Sequence, residues 1–504
     1  MEMTTLSTVE QQFLDIISKM KAYSEAVSLM QWDLRTGAPR KGAELRSEAI
    51  GKISSEVFKL SVSEEMGECL DQLESQFDSL DAPMKKMVKD ARKEYNRSKL
   101  IPPTLYEEYV VLTSKAETIW EEAKDKGDFE LFKPYLQNII KMTQQFIDYW
   151  GVKDTRYDTL LDMYEPNLTT AQLDGIFGQL KDKLVPLVHE VQQSTNKPDA
   201  SFLQEAYNIE TQKDFSSYLL GEIGYDFEAG RLDESAHPFM IGLNTQDIRI
   251  TTKYLENDVT SAVFSSLHEG GHALYEQNIS PELARTSLAT GTSMGIHESQ
   301  SRLWENIVGR SREFWKRYYG ELQRRYPEQL GNVDVEQFYC AINRVEPSLI
   351  RIEADEVTYN LHIIIRYELE KMLINDNLSV EELPEAWNSK YESYLGIRPS
   401  HDGEGVLQDV HWSFGGLGYF PSYSLGNMYG AQMMNKLRQE MPDVDAKIEA
   451  GDLLPIKDWF TEHVYQYGSL LTPAEIIEKM TGESLNPQYL VDYLTAKTKD
   501  IYKL

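Results

Sequence analysis

Two histidines one helical turn apart, with a glutamate between them, are the residues of this sequence best placed to do chemistry: His268-Glu269-Gly270-Gly271-His272. On a helix, positions i and i+4 share a face, so both imidazoles can reach one tetrahedral ion. Glu269 then stands beside the ion's water, whose acidity the metal raises, and can take its proton as it attacks a carbonyl. Those are the requirements of metal-assisted peptide hydrolysis. Val259, Ala262, Val263 and Leu267 lead into the motif at helical spacing, and Ala273 and Leu274 continue it. Gly270 and Gly271 are poor helix residues, each up to about 1 kcal/mol worse than alanine. Small residues there leave room for a neighbouring backbone or for substrate. The bland alternative is a pair of satisfied histidines on a core helix.

A catalytic zinc needs a third protein ligand and an open position. Glu298, inside His297-Glu298-Ser299-Gln300, is the candidate. Its segment runs on through Leu303, Trp304, Ile307 and Val308 with helical spacing, after a 280–295 loop whose Pro281, Gly291 and Gly295 can reverse the chain. The competing reading is an i,i+4 pair with Arg302 on a surface helix. Spacing alone does not choose between them.

The elements that must hold these residues read as mostly helical. Val9, Phe13, Ile16, Ile17, Met20, Tyr23 and Val27 fall on one stripe, and residues 105–123, 129–150, 173–193 and 334–340 behave alike. Thr169-x-x-Gln172 and Ser379-x-x-Glu382 are expected to be capping boxes. Between Gly224 and Tyr254 the alternation of Asp247-Ile248-Arg249-Ile250-Thr251, flanked by Gly230, Pro238, Gly242 and Asn244, predicts a small antiparallel β-sheet just upstream of the motif.

No Ser/Gly-rich or Pro-rich linker divides the 504 residues, so one continuous domain over 1–504 is expected. The chain carries 81 acidic against 51 basic residues, a net charge of −30. That balance disfavours a general affinity for nucleic acid or anionic membrane. The basic cluster from Lys85 to Lys99 alternates with Asp90 and Glu94 and reads as a solvated helix face. Cys69 and Cys340 form no disulfide framework, residues 1–20 lack the apolar core of a signal peptide, and no apolar run is long enough to span a membrane. A cytoplasmic location is the expectation.

Further segments sharpen this reading. His237-Pro238-Phe239, Asp247-Ile248-Arg249-Ile250-Thr251, the two histidine motifs, Ile350-Arg351-Ile352-Glu353-Ala354-Asp355 and Gly405-Val406-Leu407-Gln408-Asp409-Val410-His411-Trp412 follow in that order. Together they resemble the carboxypeptidase Taq (thermostable carboxypeptidase 1) family of zinc metallocarboxypeptidases. Leu29-Met30-Gln31-Trp32-Asp33, Tyr157-Asp158 through Glu165-Pro166, and Gly418 to Tyr423 extend the likeness over essentially the whole chain.

The resemblance implies an all-α, two-lobed body with a deep central groove, like neurolysin and angiotensin-converting enzyme. It implies one zinc per subunit, replaceable by cobalt, held by His268, His272 and Glu298, and a homodimer that removes single residues of broad type from peptide C-termini. A histidine, His237 or His411, with Tyr423 would stabilise the oxyanion, and Tyr419 is a further donor. Recognition of a terminal carboxylate calls for arginine, whose planar fork donates two parallel bonds. Arg351 and Arg249 are the arginines inside motifs. Arg351 is expected to open a helix continuing through Leu361 and Leu369, with a structural pair to Asp355 as its alternative role. Asp409, Gln408 or Asp355 could orient a histidine. Two rival functions stay open: an oligopeptidase with the same metal centre but no carboxylate clamp, and a binding scaffold with a vestigial site.

Overall fold

The computed structural model describes residues 7–504, so the first six residues of the amphipathic N-terminal stretch lie outside the described residues. Helices hold 69% of the chain and strands 3%, so helices must build the site. The first helix, Thr8–Thr36, opens on a capping box between Ser7 and Glu10 and buries Val9, Phe13, Ile16 and Ile17, the front half of the stripe. Met20, Tyr23 and Val27 are only half-buried, and Met20 faces the central cavity. Helices Pro103–Lys126, Phe129–Trp150, Thr170–Gln193 and Val335–Ile342 occupy the other expected segments. Buried apolar residues from Val9 to Tyr502 form one contiguous cluster.

The basic helix, Ala82–Leu100, pairs Lys86 with Asp90 and Arg92 with Asp71 and Glu74 on its outer side, while Lys93 and Arg97 reach inward to the buried Asp162 carboxylate. Among the described residues both cysteines are free, and no helix is long and apolar enough to cross a membrane.

Three expectations need correction. The sheet is mixed. Strands β1 (Leu232–Glu234), β2 (Met240–Asn244) and β3 (Asp247–Thr252) lie in the order β1-β3-β2, with β2–β3 antiparallel and β1–β3 parallel. The chain reverses after β1 and again after β2, so β1 and β3 run the same way. Their adjacency is fixed by the Ser235 amide on Thr252 O and by the Ser235 hydroxyl 2.7 Å from that of Thr251.

Second, Ser379 does not cap a helix. Its amide and hydroxyl donate to Glu382 within a turn, and the helix begins at Leu383 without a side-chain cap. Third, Arg351 opens only a 3₁₀ turn, Arg351–Glu353. The long helix starts at Thr358, because the Asp355 carboxylate accepts from the amides of Val357 and Thr358 and from the Thr358 hydroxyl.

Candidate active site

The motif helix, Val259–Gln277, starts where Asp258 accepts from the amides of Thr260 and Ser261, and it buries the predicted apolar face. Glu298 projects from a second helix, Met294–Arg302, capped by Ser293 and continued by a π-helical turn, Leu303–Val308. The two helices cross at Gly271. A Cβ there would stand 2.7 Å from Ser301 Cα and closer still to the Gln300 carbonyl, so only glycine admits the second backbone. The room left in the motif therefore serves a neighbouring helix. On the other flank, a Cβ on Gly426 of helix Pro421–Glu440 would meet Glu298 Cγ at 2.6 Å.

This crossing brings Glu298 Oε2 to 3.7 Å from His268 Nε2 and 3.5 Å from His272 Nε2. All three donor atoms lie within 4.8 Å of one another. Bonds of about 2.1 Å in tetrahedral array put ligand atoms roughly 3.4 Å apart, so the trio fits a small divalent ion. The Arg302 pair weighed as an alternative also exists, and it is compatible with the first reading. Arg302 Nε donates to Glu298 Oε1 at 2.7 Å, while Oε2, which also accepts from the Ser301 hydroxyl at 3.1 Å, faces the histidines; Glu298 is buried and Arg302 half-buried.

Burial opposes the charge on Glu298, yet Arg302 and the imidazoles hold its carboxyl well below the usual range. Burial also disfavours both imidazolium forms. Glu298 and Glu305 outweigh it at His268, whose pKa rises, whereas His272 falls to about 4. Burial pushes Glu269 up to about 7, opposed by His268 and aided by Glu298 and Glu305.

These groups form the floor of a cavity of about 890 Å³. Its other wall is the first helix and β2, through Met20, Lys21 and Ile241. Tyr419 and Tyr423 flank the metal trio. His411 is buried behind them, with Nε2 3.2 Å from the Tyr423 hydroxyl and Nδ1 without a partner. Burial lowers its pKa to about 4, so it is neutral.

The structure does not gather every candidate. His237 is exposed and outside the cavity lining, although Pro238 and Phe239 line it. Arg249 forks onto Asp247, 2.8 Å on each arm, and lines a separate groove beside Trp32. Arg351 is 6% exposed and pairs with Asp409, not Asp355: Nε and Nη2 both donate to Asp409 Oδ1, at 3.0 and 2.8 Å. Asp409 Oδ2 accepts from Arg366, and Gln408 Oε1 accepts from the Arg351 amide and from Arg366. Asp409 and Gln408 therefore orient arginines.

Three residues near the metal trio received no role from the sequence: Glu305 beside His268, and His297 with Glu276 beside His272. A faint signal existed. Glu276 continues the one-turn spacing of the two histidines, and Glu305 lies two turns beyond Glu298.

A metal-competent trio beside a buried glutamate, in a groove walled by the first helix and a small sheet, narrows the comparison with known proteins. The profile of the carboxypeptidase Taq (M32) metallopeptidases matches residues 12–498. The chain belongs to that family. Carboxypeptidase 1 of Bacillus subtilis is 50% identical to it over 499 residues, covering 99% of this chain and 100% of the relative. Thermostable carboxypeptidase 1 of Thermus thermophilus is 40% identical over 488 residues, covering 94% and 95%. The crystal structure of the M32 carboxypeptidase from Deinococcus radiodurans superposes with a TM-score of 0.96 at 36% identity, over 99% of this chain and 100% of that one. As an M32 protein the chain is a metallocarboxypeptidase with a mainly helical fold, and the vestigial-scaffold reading falls away.

Proposed function

We propose that this M32 enzyme is a zinc carboxypeptidase that releases single residues of broad side-chain type from free peptide C-termini, with Glu269 as its general base. The observation that carries the reading is the convergence of His268 Nε2, His272 Nε2 and Glu298 Oε2 at the cavity floor beside Glu269. Zinc held there by His268, His272 and Glu298 would supply Lewis-acid activation of a water molecule and of the scissile carbonyl. Glu269 takes the proton of the attacking water and hands it to the departing amine, a task suited to a carboxyl that burial has brought to about 7. The Tyr423 hydroxyl, backed by His411 Nε2, donates to the developing oxyanion. His237, exposed outside the cavity, has no part in that step.

Arg351 holds the terminal carboxylate of the substrate. Asp409 and the Tyr359 hydroxyl occupy three of its N–H donors, and two of the five remain for a ligand. Arg351 stands outside the cavity lining, behind Tyr423 and 5.0 Å from that ring's centroid, so a terminal carboxylate would have to reach it past the Tyr423 ring. Arg249, committed to Asp247, keeps its strand end in place.

We also propose that the chain works as one domain in a cytoplasmic homodimer, as the family resemblance implies; the two unpaired cysteines suit a reducing compartment.

The test compares a peptide with a free C-terminus and its amidated twin. Stepwise loss of C-terminal residues from the first, with the second left intact, is expected. Internal cleavage of the amidated peptide would move the protein to the oligopeptidase reading.

A further inference from the structure

The two histidines of the motif turn their remaining ring nitrogens to different kinds of partner. His268 Nδ1 lies 2.8 Å from the Glu305 carboxylate, an ordinary backing for a metal-binding imidazole. His272 Nδ1 instead meets a third imidazole, with His297 Nδ1 at 2.6 Å. His297 Nε2 in turn stands 3.0 Å from Glu276 Oε1. That oxygen also accepts from the Gly291 amide at 2.9 Å and the Thr290 hydroxyl at 3.2 Å, so the far end of the chain is anchored to the loop between the two ligand helices.

Counting hydrogens along this chain fixes every tautomer. A nitrogen that ligates a metal must offer its lone pair, so Nε2 of His272 is bare and the neutral ring carries its hydrogen on Nδ1. Two Nδ1 atoms at this separation hold one hydrogen between them, which makes His297 Nδ1 the acceptor. Neutral His297 then carries its own hydrogen on Nε2, where the Glu276 carboxylate accepts it. No donor faces a donor and no acceptor faces an acceptor.

We infer that His297 and Glu276 are positioning residues for the metal centre. His297 locks the tautomer and ring plane of His272 by accepting its Nδ1–H, and Glu276 locks His297 by accepting its Nε2–H. The inference rests on His272 being a metal ligand. The competing role is structural: Glu276 and His297 pin the 280–291 loop and leave the ion's affinity alone.

Zinc affinity, measured by competition with a chelator, separates the two. His297→Phe removes the acceptor and is expected to weaken zinc binding by about 10–100-fold, the usual effect of losing such a partner. Glu276→Leu should weaken it by a smaller factor, and Glu276→Gln, which keeps an oxygen for Nε2–H, should restore most of the loss. A structural role would lower the melting temperature of the zinc-free protein in these variants and leave the zinc dissociation constant at the wild-type value, which would overturn the inference. Should the variants fail to fold, histidine-selective ¹⁵N NMR of the wild-type zinc enzyme decides: His272 hydrogen on Nδ1 and His297 hydrogen on Nε2 are expected. A doubly protonated His297, or one protonated on Nδ1, overturns the proposal. Wild-type protein that binds no zinc would remove the metal reading as well, whereas tight wild-type binding with unaffected variants would remove only this inference.

Discussion

Glu269 and Asp409 are two carboxylates held away from solvent, and their surroundings drive them in opposite directions. Glu269 sits among Glu298 and Glu305, with His268 and, more weakly, His297 opposing burial, and its carboxyl rises to about 7. Burial presses on Asp409 as well, but the guanidinium groups of Arg351 and Arg366 hold it far below the ordinary range. On the proposed mechanism the difference separates a group that exchanges a proton from one that stays ionised. Glu269 is poised to take and return hydrogen, while Asp409 is a permanent anion that aims Arg351 and Arg366. The metal wall and the arginine wall share one design all the same. In each, a carboxylate holds the working side chain in place, Glu305 for His268 and Asp409 for Arg351.

The sharpest break in that comparison comes from removing a donor atom on the metal wall. Glu298→Ala is expected to lose both bound metal and activity down to background, by metal analysis and peptide assay; full metal occupancy would disqualify Glu298. Next is Glu269→Gln, which keeps the ligands and loses the base. Metal content should hold while kcat falls on the order of 10²–10⁴-fold. Its wild-type counterpart is a pH profile. Activity requires ionised Glu269, so kcat/KM should rise with pH, and the ion's positive charge places the inflection below 7. A rate that falls across that window would reverse the assignment.

Effects on the arginine wall should be milder and of a different kind. Arg351→Ala is expected to lower kcat/KM for free-carboxylate peptides by about tenfold to a hundredfold, on the order of 1–3 kcal/mol for a lost charge-assisted bond. Metal content should be untouched, and Arg351→Lys should recover only part because it lacks the fork. Asp409→Asn should mainly cost stability, about 3 kcal/mol at neutral pH, because two buried guanidinium groups lose their shared anion. Since the folded pKa of Asp409 is depressed, its contribution is full above about 4 and fades as pH falls below that value. The gap between wild-type and Asn melting temperatures should therefore narrow in acid. A gap that stays constant would mean the pair carries no such linkage.

Much of the metal wall was legible in the sequence, because its information is local. The one-turn spacing of His268 and His272 and the apolar stripe around them specify a helix face on their own. Glu298 could be nominated but not separated from its Arg302 pair, and in the folded protein one carboxylate serves both through its two oxygens. What escaped was set by distant partners. Arg351 looked like a helix opener because Ile350, Ala354 and Leu361 keep helical spacing, yet Asp355 stops the pattern and Asp409, fifty-eight residues on, claims the guanidinium. The β1–β3 pairing was likewise hidden, since nothing in three residues, Leu232–Glu234, announces a parallel neighbour.

The crossing of the two ligand helices at Gly271 has a bearing on redesign. With Ser301 Cα 2.7 Å from where a methyl would stand, the two helix backbones are already at their limit of approach. The interval between the imidazole pair and the third ligand is thus a property of main-chain atoms, insulated from surface mutation. Retuning the site toward a smaller ion by drawing the two ligand helices together is closed off, because their backbones already touch.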